Sequence, residues 1–292
     1  MALAGGNRAS PSPTIEVAAG SGVCFGVRRA LELAEKALVE GSPVYCLGPI
    51  IHNPQEVARL SDKGFRVIHS LDEAAQGTLL IRSHGLRPDV VADARRRGLR
   101  IVDATCPLVQ RAQTLAAEMQ EAGYQVVVAG DAAHPEVRAI QGHAPAAVVV
   151  SDIEAVRRLE LGPRVALISQ TTFSPEQFRE MAAELMRRDV HEIRVINTIC
   201  AATTDRQRAA AELAGRVDVM FVIGGRNSAN TRRLAELCAA RGVSTYHVEH
   251  AGEVQAEHLV GRPRVGIAAG ASTPQWIIDT VTERIRALQK QG

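Results

Sequence analysis

Three cysteines recur in one setting along this chain. Cys24, Cys106 and Cys200 each end an apolar run and open an amphipathic stretch, in "GVCFGVRRAL", "DATCPLV" and "NTICAATTDRQ". At a helix N-terminus, backbone N–H groups and the helix dipole favour the thiolate, the form that ligates metal or attacks carbon. Cys46 in "VYCLG" and Cys238 in "LAELCAARG" lie inside apolar patterns and read as small buried hydrophobes. An odd total of five cysteines argues against a disulfide framework.

The surroundings of the three cysteines repeat. From each, an amphipathic stretch leads through a glycine to a short apolar run and a polar loop, and in all three the loop residue stands 28 places on: His52, His134 and Ser228. A further apolar run in each repeat ends in a second polar loop, "TLLIRSHG" with His84, "RVALISQTT" with Thr171 and "RVGIAAGAS" with Ser272. The six loops also offer Asn53, Glu136, Gln170 and Asn230. Neutral donors at helix starts suit a phosphate or diphosphate. "GGRNSANTRRL" is the best single instance, although the GK[ST] of a P-loop is absent. Glu136 in "HPEV" is the one acid of the set and the natural proton donor. Its plainer reading is a first-turn helix acid after Pro135.

Three converging thiolates suit some metals better than others. A structural zinc takes four ligands, often from C-x-x-C knuckles, and none occur here. An iron–sulfur cluster prefers thiolates but ordinarily takes four. Three would leave one iron open as a Lewis acid, a catalytic rather than an electron-storing arrangement.

The elements must bring these residues together. A helix of about 16 residues runs roughly 24 Å away from its cysteine, and a strand of about six returns roughly 20 Å. Cysteine and loop then finish at one edge of a parallel sheet, where open α/β sheets bind ligands. The runs "LRIVDATC" and "EIRVINTIC" are strands that deliver the next cysteine. The expected fold is α/β: three pseudo-repeated parallel-sheet lobes with pseudo-threefold symmetry around a central cluster. The expected divisions are a disordered lead-in at 1–13 and lobes at 14–107, 108–199 and 200–292.

Composition excludes other classes. Net charge is +2 with signs interspersed and aromatics are 3%, so no nucleic-acid or membrane footprint is expected. No apolar run reaches membrane-span length and no targeting segment is read, so a cytoplasmic location is expected. Lysine is confined to Lys36, Lys63 and Lys290, which makes a catalytic lysine a poor prospect. Gly20, Gly22 and Gly26 in "AAGSGVCFGVRRAL" nearly spell a dinucleotide fingerprint. The acid at the required distance, Glu40, ends a helix before Gly41 instead of a second strand, which disfavours that reading. Gly22 and Gly26 are better explained as room for a cluster beside Cys24.

Nine blocks in order, "GVCFGVRRAL", "GPIIHN", "RSHG", "DATCPLV", "HPEV", "SQTT", "ATTDRQ", "GGRNSANT" and "AGASTP", carry a resemblance over nearly the whole chain. The sequence resembles the 4-hydroxy-3-methylbut-2-enyl diphosphate reductases, iron–sulfur oxidoreductases of non-mevalonate isoprene biosynthesis. The resemblance implies a three-lobed fold around one 4Fe-4S cluster ligated by Cys24, Cys106 and Cys200, its fourth iron left for the substrate's allylic hydroxyl. It implies that His52, His84, His134, Thr171, Ser228, Asn230 and Ser272 bind the substrate. Glu136 and Thr171, with His134, would serve catalysis by holding the hydroxyl and relaying protons. Two single electrons from a ferredoxin or flavodoxin would yield isopentenyl and dimethylallyl diphosphate. The chain departs from the family at Ala229, where a second serine is usual, at Ala201, where an aromatic is common, and in "GDAAHPEV", which lacks an extra histidine. Two alternatives stay open: a three-cysteine cluster enzyme of the quinolinate synthase type, and a non-catalytic iron–sulfur sensor.

Overall fold

Parallel sheets need strands apolar on both faces and connections long enough to cross back, and this chain alternates the two. The computed structural model describes residues 13–291, so residues 1–12 of the expected lead-in lie outside the described residues. The chain opens with β1 (Thr14–Val17), α1 (Phe25–Val39), β2 (Val44–Leu47), α2 (Pro54–Asp62), β3 (Phe65–Ile68), β4 (Thr78–Ile81), α3 (Pro88–Arg96) and β5 (Arg100–Asp103). It continues through α4 (Pro107–Glu121), β6 (Gln125–Ala129), α5 (Pro135–His143), β7 (Val148–Val150), α6 (Ile153–Arg157), β8 (Arg164–Ser169), α7 (Pro175–Leu185) and β9 (Glu192–Val195). The last stretch is α8 (Ala201–Ala214), β10 (Val219–Ile223), α9 (Ala229–Ala239), β11 (Ser244–Val248), β12 (Arg264–Ala269) and α10 (Gln275–Gln289). Five of these helices, α2, α3, α4, α5 and α7, open on a proline, whose fixed φ and missing N–H suit the first helical position.

Three four-stranded sheets result, ordered β3-β2-β4-β5, β7-β6-β8-β9 and β11-β10-β12-β1, with every neighbouring pair parallel. The order is the same each time. The central strands β4, β6, β8, β10 and β12 are buried almost throughout. Leu79, Leu80, Leu167, Ile168 and Phe221 are fully enclosed, each side chain contributing roughly 1.5–3 kcal/mol of burial. The last strand of each order is a partly exposed edge carrying charge. Edge Glu16 pairs with Arg216, Arg100 with Glu40, and Glu192 with Arg164, which discourages edge-to-edge association.

One expectation needs correcting. The strand Thr14–Val17, assigned to a first lobe at 14–107, pairs with β12 in the third sheet. The reason lies in the repeat. Each sheet's fourth strand is the one that runs into a cysteine: β5 into Cys106, β9 into Cys200 and β1 into Cys24. The chain begins one strand out of phase, so its first strand completes its last sheet. The molecule forms two compact units, Val23–Asp205 with the first two sheets, and Met1–Gly22 with Arg206–Gly292, which holds the third. Among the described residues no helix is long and apolar enough to cross a membrane.

Candidate active site

In each sheet the first strand crosses to one neighbour and the third strand lies on its other side. The crevice between them is the topological switch point, where open α/β sheets take ligands. The loops after β2 and β4 carry His52 and His84, those after β6 and β8 carry His134 and Thr171, and those after β10 and β12 carry Ser228 and Ser272. All six polar loops read from the sequence therefore flank switch points.

Within the unit Val23–Asp205, the three repeat cysteines are free and half-buried, and each stands immediately before a helix. Cys24 and Cys106 occupy N-cap positions without a side-chain cap, leaving helix N–H groups for other acceptors. The N–H groups of Leu108 and Val109 at the start of α4 favour the Cys106 thiolate. Burial, joined by the charges of Cys24 and Cys200, nevertheless pushes its thiol up. A thiol whose ionisation its two fellow cysteines oppose belongs to a set in need of a cation. Gly26 gives a second sign of fit: a Cβ there would fall 2.6 Å from Cys106 Sγ, so only glycine leaves that sulfur its place. Arg29 of α1 adds hydrogen bonds to the Thr105 and Asp103 carbonyls, 3.2 Å each, fastening the start of α1 to the approach of α4. Cys46 and Cys238 are enclosed thiols pushed up by burial to about 12 and about 11, as expected of packing residues.

Backbone bonds tie the cysteines to the polar loops. Cys106 N–H donates to Ser83 O at 3.0 Å, beside His84. Cys200 N–H donates to Thr171 O at 2.8 Å. The Thr198 hydroxyl, two residues before Cys200, accepts from Ser169 N–H at 2.9 Å.

His52, His84 and His134 converge, with ring centroids 4.6, 5.6 and 5.3 Å apart for the pairs 52–84, 52–134 and 84–134. One ring nitrogen from each lies within 4.8 Å of the others, a set able to grip a metal ion or an oxyanion. Charge separates the two. The His84 imidazole is held well below its usual pKa by burial first, then by the charges of His52, His134 and Arg82. A guanidinium beside an uncharged His84 raises the cost of a cation there and lowers that of an anion. His134 caps α5, its Nδ1 accepting from Glu136 N–H at 3.2 Å, so the proton of the neutral ring sits on Nε2.

Glu136 is 1% exposed, and its carboxyl faces Thr171. Oε1 accepts from Thr171 N–H at 2.6 Å and Oε2 from the Thr171 hydroxyl at 2.9 Å. Burial pushes the carboxyl up to about 7 against the two bonds from Thr171, which favour its ionised form. A carboxyl poised near neutrality can carry a proton into a closed site.

The remaining residues lie in the other unit. Ser228 caps α9, its Oγ accepting from Thr231 N–H at 3.3 Å. Asn230, the second residue of α9, is 5% exposed, and neither its amide oxygen nor its nitrogen is hydrogen-bonded among the described residues. Ser272 is half-buried on the loop after β12. Sequence reading missed Thr231 and Thr273, which join these two loops. A Cβ at Gly224 would fall 2.6 Å from Thr273 Oγ1 and 2.9 Å from Thr231 Oγ1, and one at Gly270 only 2.1 Å from the latter. The opening glycines also resolve. Gly20 and Gly22 take φ of +73° and +100°, and their carbonyls receive Arg206 at 2.8 and 3.0 Å. That turn holds a guanidinium rather than a phosphate, and Gly22 is there for its backbone conformation.

The LytB protein family model matches residues 15–286. The chain belongs to the LytB family. Among its LytB relatives is the 4-hydroxy-3-methylbut-2-enyl diphosphate reductase of Pelobacter propionicus, 47% identical over 273 residues, 93% of this chain and 97% of that protein. The Aquifex aeolicus protein of the same name is 44% identical over 279 residues, 94% and 96% of the two chains. A solved structure of (E)-4-hydroxy-3-methyl-but-2-enyl diphosphate reductase, described as the terminal enzyme of the non-mevalonate pathway, superposes with a TM-score of 0.71 at 44% identity, covering 94% of this chain and 99% of that one. The Plasmodium falciparum diphosphate reductase gives a TM-score of 0.87 at 25% identity, covering 95% and 88%. Membership makes this LytB chain an oxidoreductase of isoprene biosynthesis and accounts for the three-sheet α/β architecture.

Proposed function

We propose that this chain reduces (E)-4-hydroxy-3-methylbut-2-enyl diphosphate to isopentenyl and dimethylallyl diphosphate. Each turnover takes two electrons and two protons, breaks the allylic C–O bond and releases water. The observation that carries the reading is the buried Glu136–Thr171 pair, sharing one compact unit with the converging trio His52, His84 and His134 and with the three helix-opening cysteines. Cys24, Cys106 and Cys200 would hold one 4Fe-4S cluster. When bound, that group supplies electrons one at a time and a Lewis-acidic iron for the hydroxyl.

The chain's own residues do the rest. His52, His84 and His134 direct imidazole N–H groups at the diphosphate, and in the other unit Ser228, Asn230 and Ser272 are neutral groups of the kind that bind one. Burial keeps His84 uncharged, so it donates without competing for a proton. The Thr171 hydroxyl bridges Glu136 to the substrate hydroxyl, and the protonated Glu136 carboxyl supplies the proton that leaves with water. His134, capping the helix that starts beside Glu136, fixes that carboxyl relative to the diphosphate. Electrons come from a ferredoxin or flavodoxin, and a cytoplasmic setting suits five free thiols.

The test is anaerobic turnover of the substrate by reconstituted protein with a one-electron donor. Both products should form only when reductant is present. Cys106→Ser should lose bound iron and sulfide and at least about a hundredfold of activity. No product from protein with a full cluster complement would refute the assignment. A full cluster in Cys106→Ser would refute the ligand set.

A further inference from the structure

The fully buried strand β4 runs directly into a cation. Arg82 follows Ile81, is half-buried, and is held below its usual pKa by desolvation. A guanidinium drawn partly out of water ordinarily comes with a carboxylate. Here the ionisable groups beside it are the Cys46 thiol, which burial pushes up to about 12 and so keeps uncharged, and Arg138, which repels it. Its Nε is buried and makes no hydrogen bond among the described residues. Its seat is built for it: a Cβ at Gly48 would fall 2.7 Å from Arg82 Nη1, and Gly48 has φ +78°, so the position demands glycine twice over. Gly48 begins the loop that carries His52. Arg82 itself stands two residues before His84, which feels its charge. Among the described residues, one half-buried guanidinium without an acid partner thus stands against both histidine-bearing loops of the first sheet.

We propose that Arg82 is a positioning residue for the diphosphate, its guanidinium providing the missing counter-charge and holding the Gly48 and His84 loops in register around the anion. This rests on the diphosphate reading of the histidine trio. An uncharged His84 imidazole can orient a polyanion but cannot neutralise it. Lysine is absent from the six loops. An arginine left without an acid partner stays available to the ligand, whereas a paired one would be spent within the protein.

Binding of inorganic pyrophosphate to the cluster-loaded enzyme, followed by calorimetry, tests this. Arg82→Met should raise its Kd about 10- to 100-fold, the value of one charge-assisted contact, while Arg82→Lys should stay within about threefold of wild type because it keeps the charge. In turnover, KM should rise in Arg82→Met with kcat changed less than about threefold. If Arg82→Met does not hold its cluster, Arg82→Gln takes its place in the same comparison. Equal Kd values in wild type and Arg82→Met would overturn the proposal. Equal weakening in Arg82→Met and Arg82→Lys with lowered Tm in both would overturn it too, by showing a packing role. Failure of wild type itself to bind pyrophosphate would instead strike the diphosphate reading beneath it.

Discussion

The first and second sheets share strand order, switch point and loop placement, yet their crevices are charged in opposite ways. The loops after β2 and β4 present His52, His84 and the acid-free Arg82. The loops after β6 and β8 present His134, Thr171 and a buried carboxyl. The influences on Glu136 are burial and two hydrogen bonds from Thr171, with no cation among them. An arginine placed there as Arg82 is placed in the first sheet would pull the carboxyl back toward its ordinary value and ionise it at neutral pH. Anion binding and proton delivery demand incompatible surroundings. The repeat meets both by giving each sheet its own task.

The largest effect expected from this division is at Glu136. Glu136→Gln keeps the size and the acceptor for Thr171 but cannot release a proton. Steady-state kinetics should show kcat down by about 10²–10³-fold, with KM within a factor of about three. A variant that lost affinity instead would merge the two tasks and break the comparison. His84→Ala probes the other sheet. KM should rise about tenfold, the worth of one buried hydrogen bond, and kcat should change less. A kcat loss matching that of Glu136→Gln would place proton chemistry in the first sheet as well.

A smaller effect appears in stability. The native Glu136 carboxyl titrates near 7, against 4.5 for its ordinary value. Between those limits the native state holds a proton that the unfolded chain has released. This contribution is fully present below about pH 4.5 and is lost as pH rises through about 7, amounting to roughly 3 kcal/mol at most. Thermal melts of wild type and Glu136→Gln should diverge between pH 5 and pH 8, the variant gaining relative stability at the higher pH. Parallel melts across that range would mean an ordinary carboxyl.

Much of this was legible before any coordinates. The 28-residue spacing from cysteine to loop carries real topology, because a helix out and a strand back must end at one edge. The membership of β1 was legible too, since "TIEVAA" stands to Cys24 as "LRIVDA" stands to Cys106. Reading the lobes as consecutive segments hid it. Arg82 was not legible, because one arginine among many shows neither burial nor the lack of an acid partner. Thr231 and Thr273 were missed because hydroxyls that lock two loops together have no spacing signature. The Glu136 residue could be picked out, but its raised pKa is a property of enclosure and appears only in three dimensions.

Proton delivery from the second sheet is the central claim, and the pH dependence of turnover tests it most directly. Cluster-loaded wild type and Glu136→Gln would be compared in anaerobic turnover from pH 5.5 to 8.5 at saturating substrate. In wild type the rate should fall as pH rises through about 7, as the Glu136 carboxyl loses its proton. In Glu136→Gln that limb should be absent and the rate uniformly low. The same falling limb in both proteins would show that the proton comes from elsewhere.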